Sequence, residues 1–323
     1  MPRSLAIIGA GVSGLTSAIV FAERGYRASI FAEETAQRTT SAAAAALWYP
    51  YDAEPADKVI AWALRAYKVL VDLSRDSRSG VSMIDLLQFS RTREIEIPDW
   101  AIRFGAHRLP VVSRGVETSL VVDPSAFKSC FTMRVPLMDT TIYLDYLTNR
   151  FEKAGGRING NVHFDNLEDI DPKFDLVINC SGIGARKLVG DTGLEPHRGQ
   201  VAIVPKIKDL HCAIVCDEPP LMYAIPRTQD CVFGGTNELS ERRDADPIAT
   251  WRIVAECSRI LNVARPKILA ERVGLRPFRK TGVRIEREKL RDGRSVIHNY
   301  GHGGSGFTLS WGCAEKVYAL ASG

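Results

Sequence analysis

Residues whose types and spacing could do chemistry gather at four places in this 323-residue chain. The first is Gly9-Ala10-Gly11-Val12-Ser13-Gly14, with glycines spaced as GxGxxG. In that spacing the first two glycines permit a tight turn and close backbone approach to a pyrophosphate. The third lets a helix pack on a strand, and the helix N-terminus then faces the phosphates. Glu33 stands about 20 residues beyond the last glycine, where an acid would accept hydrogen bonds from a ribose diol. The second place is the glycine-rich stretch His298 to Phe307, which opens a closing helix and can bring backbone N–H groups and a positive helix end to one point. The third is Arg276, set among apolar Val273, Leu275 and Pro277. A guanidinium there needs a carboxylate, either from the protein or from a substrate, and its planar fork suits bidentate capture. The fourth is Tyr223, which follows Pro219-Pro220 and opens an apolar run; its phenol could donate to an anion or simply fill the core. No Ser-His-Asp or Cys-His nucleophile set and no pair of carboxylates at catalytic spacing is evident. The cysteines (seven) include no CxxC pair and no completed metal set, so reduced thiols and no metal are expected.

These residues need particular elements to hold them. Residues 4–9 form a short apolar run, as in a strand buried on both faces. A helix follows from Leu15 to Arg24, then a second strand from Tyr26 to Phe31. Strand, glycine turn, helix, strand and acid is the context that makes GxGxxG a dinucleotide fingerprint. The pattern then stops. Alanine-rich Thr39 to Leu47 leads to helical spacing over Tyr51 to Ser74. Short mixed runs broken by prolines come next, such as Val111-Val112 and Leu120-Val121-Val122. A helix is expected over Ile142 to Ala154, a buried strand over Leu176 to Cys180, and antiparallel strands over 199–236 and 268–275. A last strand spans Val296 to Tyr300, and the closing helix runs from Phe307 to Ala321. The expected fold is α/β: a doubly wound, Rossmann-like cofactor domain (1–50, 138–198 and 293–323) interleaved with a β-rich α+β substrate domain (51–137 and 199–292). Two domains suit the length at roughly 150 residues each.

Composition excludes several classes. With 45% hydrophobic and 25% charged residues, the chain is neither disordered nor short of core. The net charge of +4 comes from scattered Lys and Arg, which argues against a nucleic-acid partner. The apolar stretch Leu5 to Ala22 imitates a signal or an anchor, but its glycines belong to the fingerprint. A cytoplasmic protein without a membrane partner is expected.

Several blocks together resemble the D-amino-acid oxidase family of flavoproteins, in the family's order and over nearly the whole chain. They are Thr39-Thr40-Ser41 with Ala45-Ala46-Leu47-Trp48, Cys180-Ser181-Gly182, Arg198-Gly199-Gln200, Tyr223-Ala224-Ile225-Pro226, Gly274-Leu275-Arg276-Pro277 and His298 to Phe307, continuing to Trp311-Gly312-Cys313-Ala314. The resemblance implies non-covalent FAD. Gly9, Gly11, Val12, Ser13, Gly14, Glu33, Glu34, Arg38, Thr39, Thr40, Ser41 and Val162 would serve its dinucleotide part. Ala45, Ala46, Leu47, Ser181, Gly182, Gly303, Gly304, Gly306, Phe307 and Thr308 would serve the rest. It also implies Tyr223 and Arg276 on a substrate α-carboxylate, with Tyr49, Met222 and Ser305 near the substrate. The implied reaction passes hydride from a D-amino acid to flavin N5 without a side-chain base, leaving His302 a structural role. O₂ would be the oxidant, H₂O₂ the co-product, and a homodimer the assembly. D-aspartate oxidase is the nearest alternative, followed by glycine or sarcosine oxidases. The acidic-substrate enzymes place an arginine just after Gly-Gly-Thr, where this chain has Asn237, so neutral substrates are favoured unless Arg227 points inward. A dinucleotide-binding sensor is the non-enzymatic alternative. Before Tyr223 only Asp217-Glu218-Pro219-Pro220 stand where some relatives carry a longer lid, which implies a more open pocket.

Overall fold

The computed structural model describes residues 4–51, 53–110 and 122–323. The runs at Val111-Val112 and Leu120-Val121 lie outside the described residues. Ser4–Ile8 forms a strand of Leu, Ala and Ile residues that are buried on both faces. It is the centre of a six-stranded sheet ordered Arg287–Lys289, Ser295–His298, Leu176–Asn179, Ser4–Ile8, Arg27–Ala32 and Arg157–Gly160. All neighbours in it run parallel except the first pair. The helix Val12–Ala22 carries the first crossover and packs against the closing helix Gly306–Ser322. Three central strands therefore end side by side, and the turns after them (Gly9, Cys180-Ser181-Gly182 and Asn299 onward) share one edge. That edge, outside the carboxyl ends of the strands, is where open α/β sheets bind ligands.

The second sheet has nine strands among the described residues, ordered Glu238–Leu239, Leu194–Pro205, Asp230–Gly234, Met222–Pro226, Cys212–Cys216, Val81–Ser90, Ser129–Met138 and His107–Leu109. Ala270–Arg279 pairs along Leu194–Pro205 in addition. The pairings are antiparallel, except that Val81–Ser90 runs parallel to Cys212–Cys216. The mixed runs expected before residue 138 contain two ten-residue strands, Val81–Ser90 and Ser129–Met138, paired along their full length. A helix absent from the sequence reading, Pro247–Ile260, starts where the Asp246 carboxylate accepts from Ile248 N at 2.9 Å. Two strands depart from the expected domain boundaries: Leu194–Pro205 runs across the one at 198, and Arg287–Lys289 stops just short of the one at 293 yet belongs to the sheet on its far side. Leu194–Pro205 belongs wholly to the nine-stranded sheet, and Arg287–Lys289 joins the six-stranded one. Hydrogen-bond pairing, rather than local composition, decides both memberships. Among the described residues no helix is long and apolar enough to cross a membrane.

Candidate active site

A cavity of about 420 Å³ runs from the glycine edge of the first sheet to the inner face of the second. At the first end, Gly9 adopts φ +107°, and a Cβ on it would stand 2.4 Å from Cys180 O. A Cβ on Gly14 would stand 1.9 Å from Gly9 O, so the third glycine serves helix packing and does not line the cavity. Gly9, Gly11, Val12 and Ser13 do line it. The helix that begins at Val12 has no side-chain cap at Gly11, though Ser41 Oγ accepts from Val12 N at 3.0 Å. Thr39, Thr40, Ser41, Ala45, Ala46, Leu47, Val162, Ser181 and Gly182 also line the cavity, as their blocks imply. Arg38 does not: its side chain is exposed outside, because the short helical turn Ala36–Arg38 directs it to solvent.

Glu33 and Glu34 lie at the end of Arg27–Ala32. Glu34 pairs with Arg243 at 3.1 Å, and Glu33 meets His163 Nδ1. His163 also reaches Asp165 at 3.1 Å, and the two carboxylates, Glu33 foremost, raise its pKa. His163 drew no attention in the sequence, where it is an isolated histidine after a short strand.

The closing helix points a second uncapped N-terminus into the same space, lined by Gly303, Gly304, Gly306, Phe307 and Thr308. Ser305 corrects an expectation. It does not line the cavity; its hydroxyl donates to Tyr51 O at 2.5 Å and accepts from Tyr51 N at 2.7 Å. Thr308 Oγ1, one helical turn on, likewise donates to Tyr49 O and accepts from Tyr49 N. The two hydroxyls thus fix the segment that presents Tyr49 and Tyr51 to the cavity. His302 is buried between Ser13 Oγ at 3.5 Å and Asn299 Oδ1 at 3.0 Å, and burial pushes its pKa down to about 4. It is neutral near pH 7, with both ring nitrogens engaged.

The other end of the cavity is a row of residues paired across the second sheet: Gln88 beside Val215, Val215 beside Tyr223, Tyr223 beside Gly234, and Gly234 beside Val201. Because strand side chains alternate, this row and its i±2 neighbours face the cavity while the residues between face away. Met222 is therefore not near the substrate. It packs fully buried under the sheet, and Leu221 lines the cavity instead. Glycine makes room for the two polar anchors. A Cβ on Gly234 would stand 2.0 Å from the Tyr223 ring, and one on Gly199 would stand 2.4 Å from the Arg276 guanidinium. Arg276 Nη1 donates to Thr236 O at 3.0 Å and to Asn237 Oδ1 at 3.5 Å, and no carboxylate among the described residues pairs with it. Burial raises the Tyr223 pKa; the neighbouring Arg276, close enough to share a side-chain hydrogen bond, opposes that rise.

Arg227 does not point inward. It is buried in a bidentate pair with Asp230 (2.7 and 2.8 Å) and donates to Thr140 Oγ1. Asn237 stands beside the cavity, bridging Tyr51 and Arg276. All seven cysteines are free and buried, and no cluster able to hold a metal occurs among the described residues.

Two helix N-termini, an acid after the second strand and a guanidinium without a protein carboxylate among the described residues line one cavity. Helix ends of this kind can hold phosphate groups, and a concave, largely apolar cavity with a few polar groups is where a small ligand binds. Comparison with known proteins fixes the family. Residues 4–320 match the DAO family, FAD dependent oxidoreductases, and the chain belongs to it. It is 38% identical over 319 residues to a D-amino-acid oxidase of Rubrobacter xylanophilus, covering 98% of this chain and 94% of that protein. It is 30% identical over 337 residues to a human D-aspartate oxidase, covering 98% and 94%. Among solved structures, a Bacillus cereus glycine oxidase superposes with a TM-score of 0.80 at 17% identity, covering 99% and 95%, which speaks for the fold. The cofactor is FAD, and the chain is an oxidoreductase.

Proposed function

We propose that this chain is a D-amino-acid oxidase that accepts neutral and apolar side chains in preference to acidic ones. The observation that carries this is Arg276, a guanidinium in the cavity wall that has no protein carboxylate among the described residues and stands beside a tyrosine hydroxyl. A substrate α-carboxylate would supply the missing partner, with Tyr223 as second donor. FAD, when bound, supplies the hydride acceptor at N5 and passes the electrons to O₂ to give H₂O₂. The chain's own work is positional. The Gly9–Gly14 turn and Ser41 would hold the pyrophosphate and Glu33 the ribose. The N–H groups at Gly303 to Thr308 would face the part of the ring that gains negative charge. His302 serves as no base in this reading, since a pKa of about 4 makes it a weak one and both nitrogens are bonded. Substrate enters as the neutral amine, and the imino product hydrolyses in water to 2-oxo acid and ammonia.

The part built on the six-stranded sheet, Arg287–Lys289 included, would carry FAD, and the part built on the nine-stranded sheet, all of Leu194–Pro205 included, the substrate. A homodimer and a reducing, cytoplasmic setting, in keeping with seven free thiols, complete the proposal. The test is an anaerobic absorbance scan of the yellow holoprotein against a panel of D- and L-amino acids. D-amino acids should bleach the flavin and their L-forms should not, because the L-form anchored on Arg276 turns its Cα–H away from N5. Acid precipitation should leave the yellow colour in the supernatant. A flavin that stays oxidised with every D-amino acid would overturn the proposal.

A further inference from the structure

Two acids stand side by side at the head of the short connection between Cys212–Cys216 and Met222–Pro226, and they are used differently. Glu218 is saturated: its oxygens accept from Ser90 Oγ, Arg91 N, Thr92 N and Thr92 Oγ1 at 2.7–3.1 Å. Asp217 continues the alternation of Val215 and turns its side chain, exposed, into the cavity. Its one hydrogen bond among the described residues comes from Gln88 Nε2 at 3.1 Å. A carboxylate offers about four lone-pair sites, so most of Asp217's accepting capacity is open. Gln88 is only 4% exposed and its Oε1 is buried without a partner, so the amide serves to hold Asp217 rather than to meet a ligand. Desolvation within the cavity, with Glu218 beside it, raises the Asp217 pKa to about 6, which leaves a mostly ionised carboxylate near pH 7 on a cavity wall otherwise made of apolar Leu86, Val215, Leu221 and Ile225.

The position relative to the substrate anchor follows from the sheet. Tyr223 lies directly opposite Val215, and Asp217 is the next residue on the same face, a diagonal neighbour at about 7–8 Å between backbones. Asp217 is therefore within reach of a side chain of several methylenes on a ligand whose α-carboxylate rests on Tyr223 and Arg276. A neutral terminus arriving there leaves the carboxylate unsatisfied; a second carboxylate meets like charge. An ammonium or guanidinium gives Asp217 a charged donor.

We propose that Asp217, with Gln88 positioning it, is a specificity residue that selects D-amino acids with a long cationic side chain over their neutral isosteres. This rests on the oxidase reading above, keeps its disfavour of acidic side chains, and ranks long cationic ones ahead of the neutral ones named there. The test compares isosteric pairs on the FAD-loaded enzyme: D-lysine against D-norleucine, and D-arginine against D-citrulline, as kcat/KM from H₂O₂ release. In the unmodified enzyme the cationic member should lead by at least about 10-fold, the size of one charge-assisted hydrogen bond. In Asp217→Asn, which can keep the Gln88 contact, the lead should shrink to about 3-fold or less. In Asp217→Glu, which keeps the charge, it should persist. Melting temperature and flavin spectrum check that each variant folds and binds FAD. Equal kcat/KM within each pair for the unmodified enzyme, or a ratio that Asp217→Asn leaves intact, overturns the role of Asp217 while the oxidase reading stands. Failure of every D-amino acid, both members of each pair included, to release H₂O₂ overturns the oxidase reading itself and this proposal with it.

Discussion

Replacing Arg276 with lysine keeps one positive charge in the cavity and removes the fork. In the structure Nη1 is engaged by Thr236 O and Asn237 Oδ1, the guanidinium lies against Gly199, and the Tyr223 hydroxyl stands within side-chain hydrogen-bond reach of it. A carboxylate seated there can take two parallel hydrogen bonds; an ammonium on a flexible stem gives it one point contact. A hydrogen bond to a charged group contributes about 1.5–3 kcal/mol, so losing one of the pair lowers kcat/KM by roughly 10- to 100-fold. The α-carboxylate is held equally in the bound substrate and at hydride transfer, so most of the loss should fall on KM and little on kcat. Steady-state O₂ consumption with a neutral D-amino acid reads both parameters. A melting curve supplies the control: no protein carboxylate among the described residues depends on Arg276, so stability should change little. If KM stays put while the melting temperature drops by several degrees, Arg276 is a structural residue and the assignment of the substrate end is wrong.

Gly199→Ala should act like a partial Arg276 deletion, because the added Cβ would stand 2.4 Å from the guanidinium and push it off the glycine face; KM should rise while the flavin spectrum stays constant. A Gly199→Ala enzyme with unchanged KM would show that the guanidinium binds elsewhere. Glu33→Gln should weaken FAD binding by about 10-fold, the loss of a charge-assisted hydrogen bond to the ribose, measured by flavin fluorescence on dilution; an unchanged Kd would remove Glu33 from the cofactor site. His302 should make the protein acid-sensitive. Its folded pKa of about 4 lies below the ordinary value of 6.5, so the unfolded chain takes up the proton first. That contribution to stability is complete above about pH 6.5 and is lost as pH falls toward about 4, amounting to roughly 3 kcal/mol. His302→Gln should flatten the fall of melting temperature over that range, and an unaltered slope would refute a neutral buried imidazole.

What could be read from the sequence follows from how far apart in the chain the cooperating residues lie. The strand–turn–helix–strand unit that carries Gly9, Gly11, Gly14 and Glu33 is legible because spacing within it alone sets geometry. The family blocks carried Tyr223 and Arg276, and the structure gives the physical reason both fit: Gly234 and Gly199, on the paired strands, leave space for the ring and the guanidinium. Ser305, Arg38 and Met222 were misread for a shared reason. Proximity in a motif does not say which way a side chain points, and here a helix entry, an exposed turn and the two-residue alternation of a strand turn all three out of the cavity. Gln88 and Asp217 were hidden more deeply, since a parallel pairing between Val81–Ser90 and Cys212–Cys216 brings them together across more than a hundred residues. No local pattern encodes that contact. The separation has a consequence for the chemistry. The carboxylate anchor stands on strands locked by glycine contacts and long pairing, whereas Asp217 sits at the start of a five-residue connection whose lengthening or replacement disturbs neither. On the proposed function, side-chain preference can therefore change at 217–221 while the Arg276 anchor, and with it the handedness of the substrate, stays fixed.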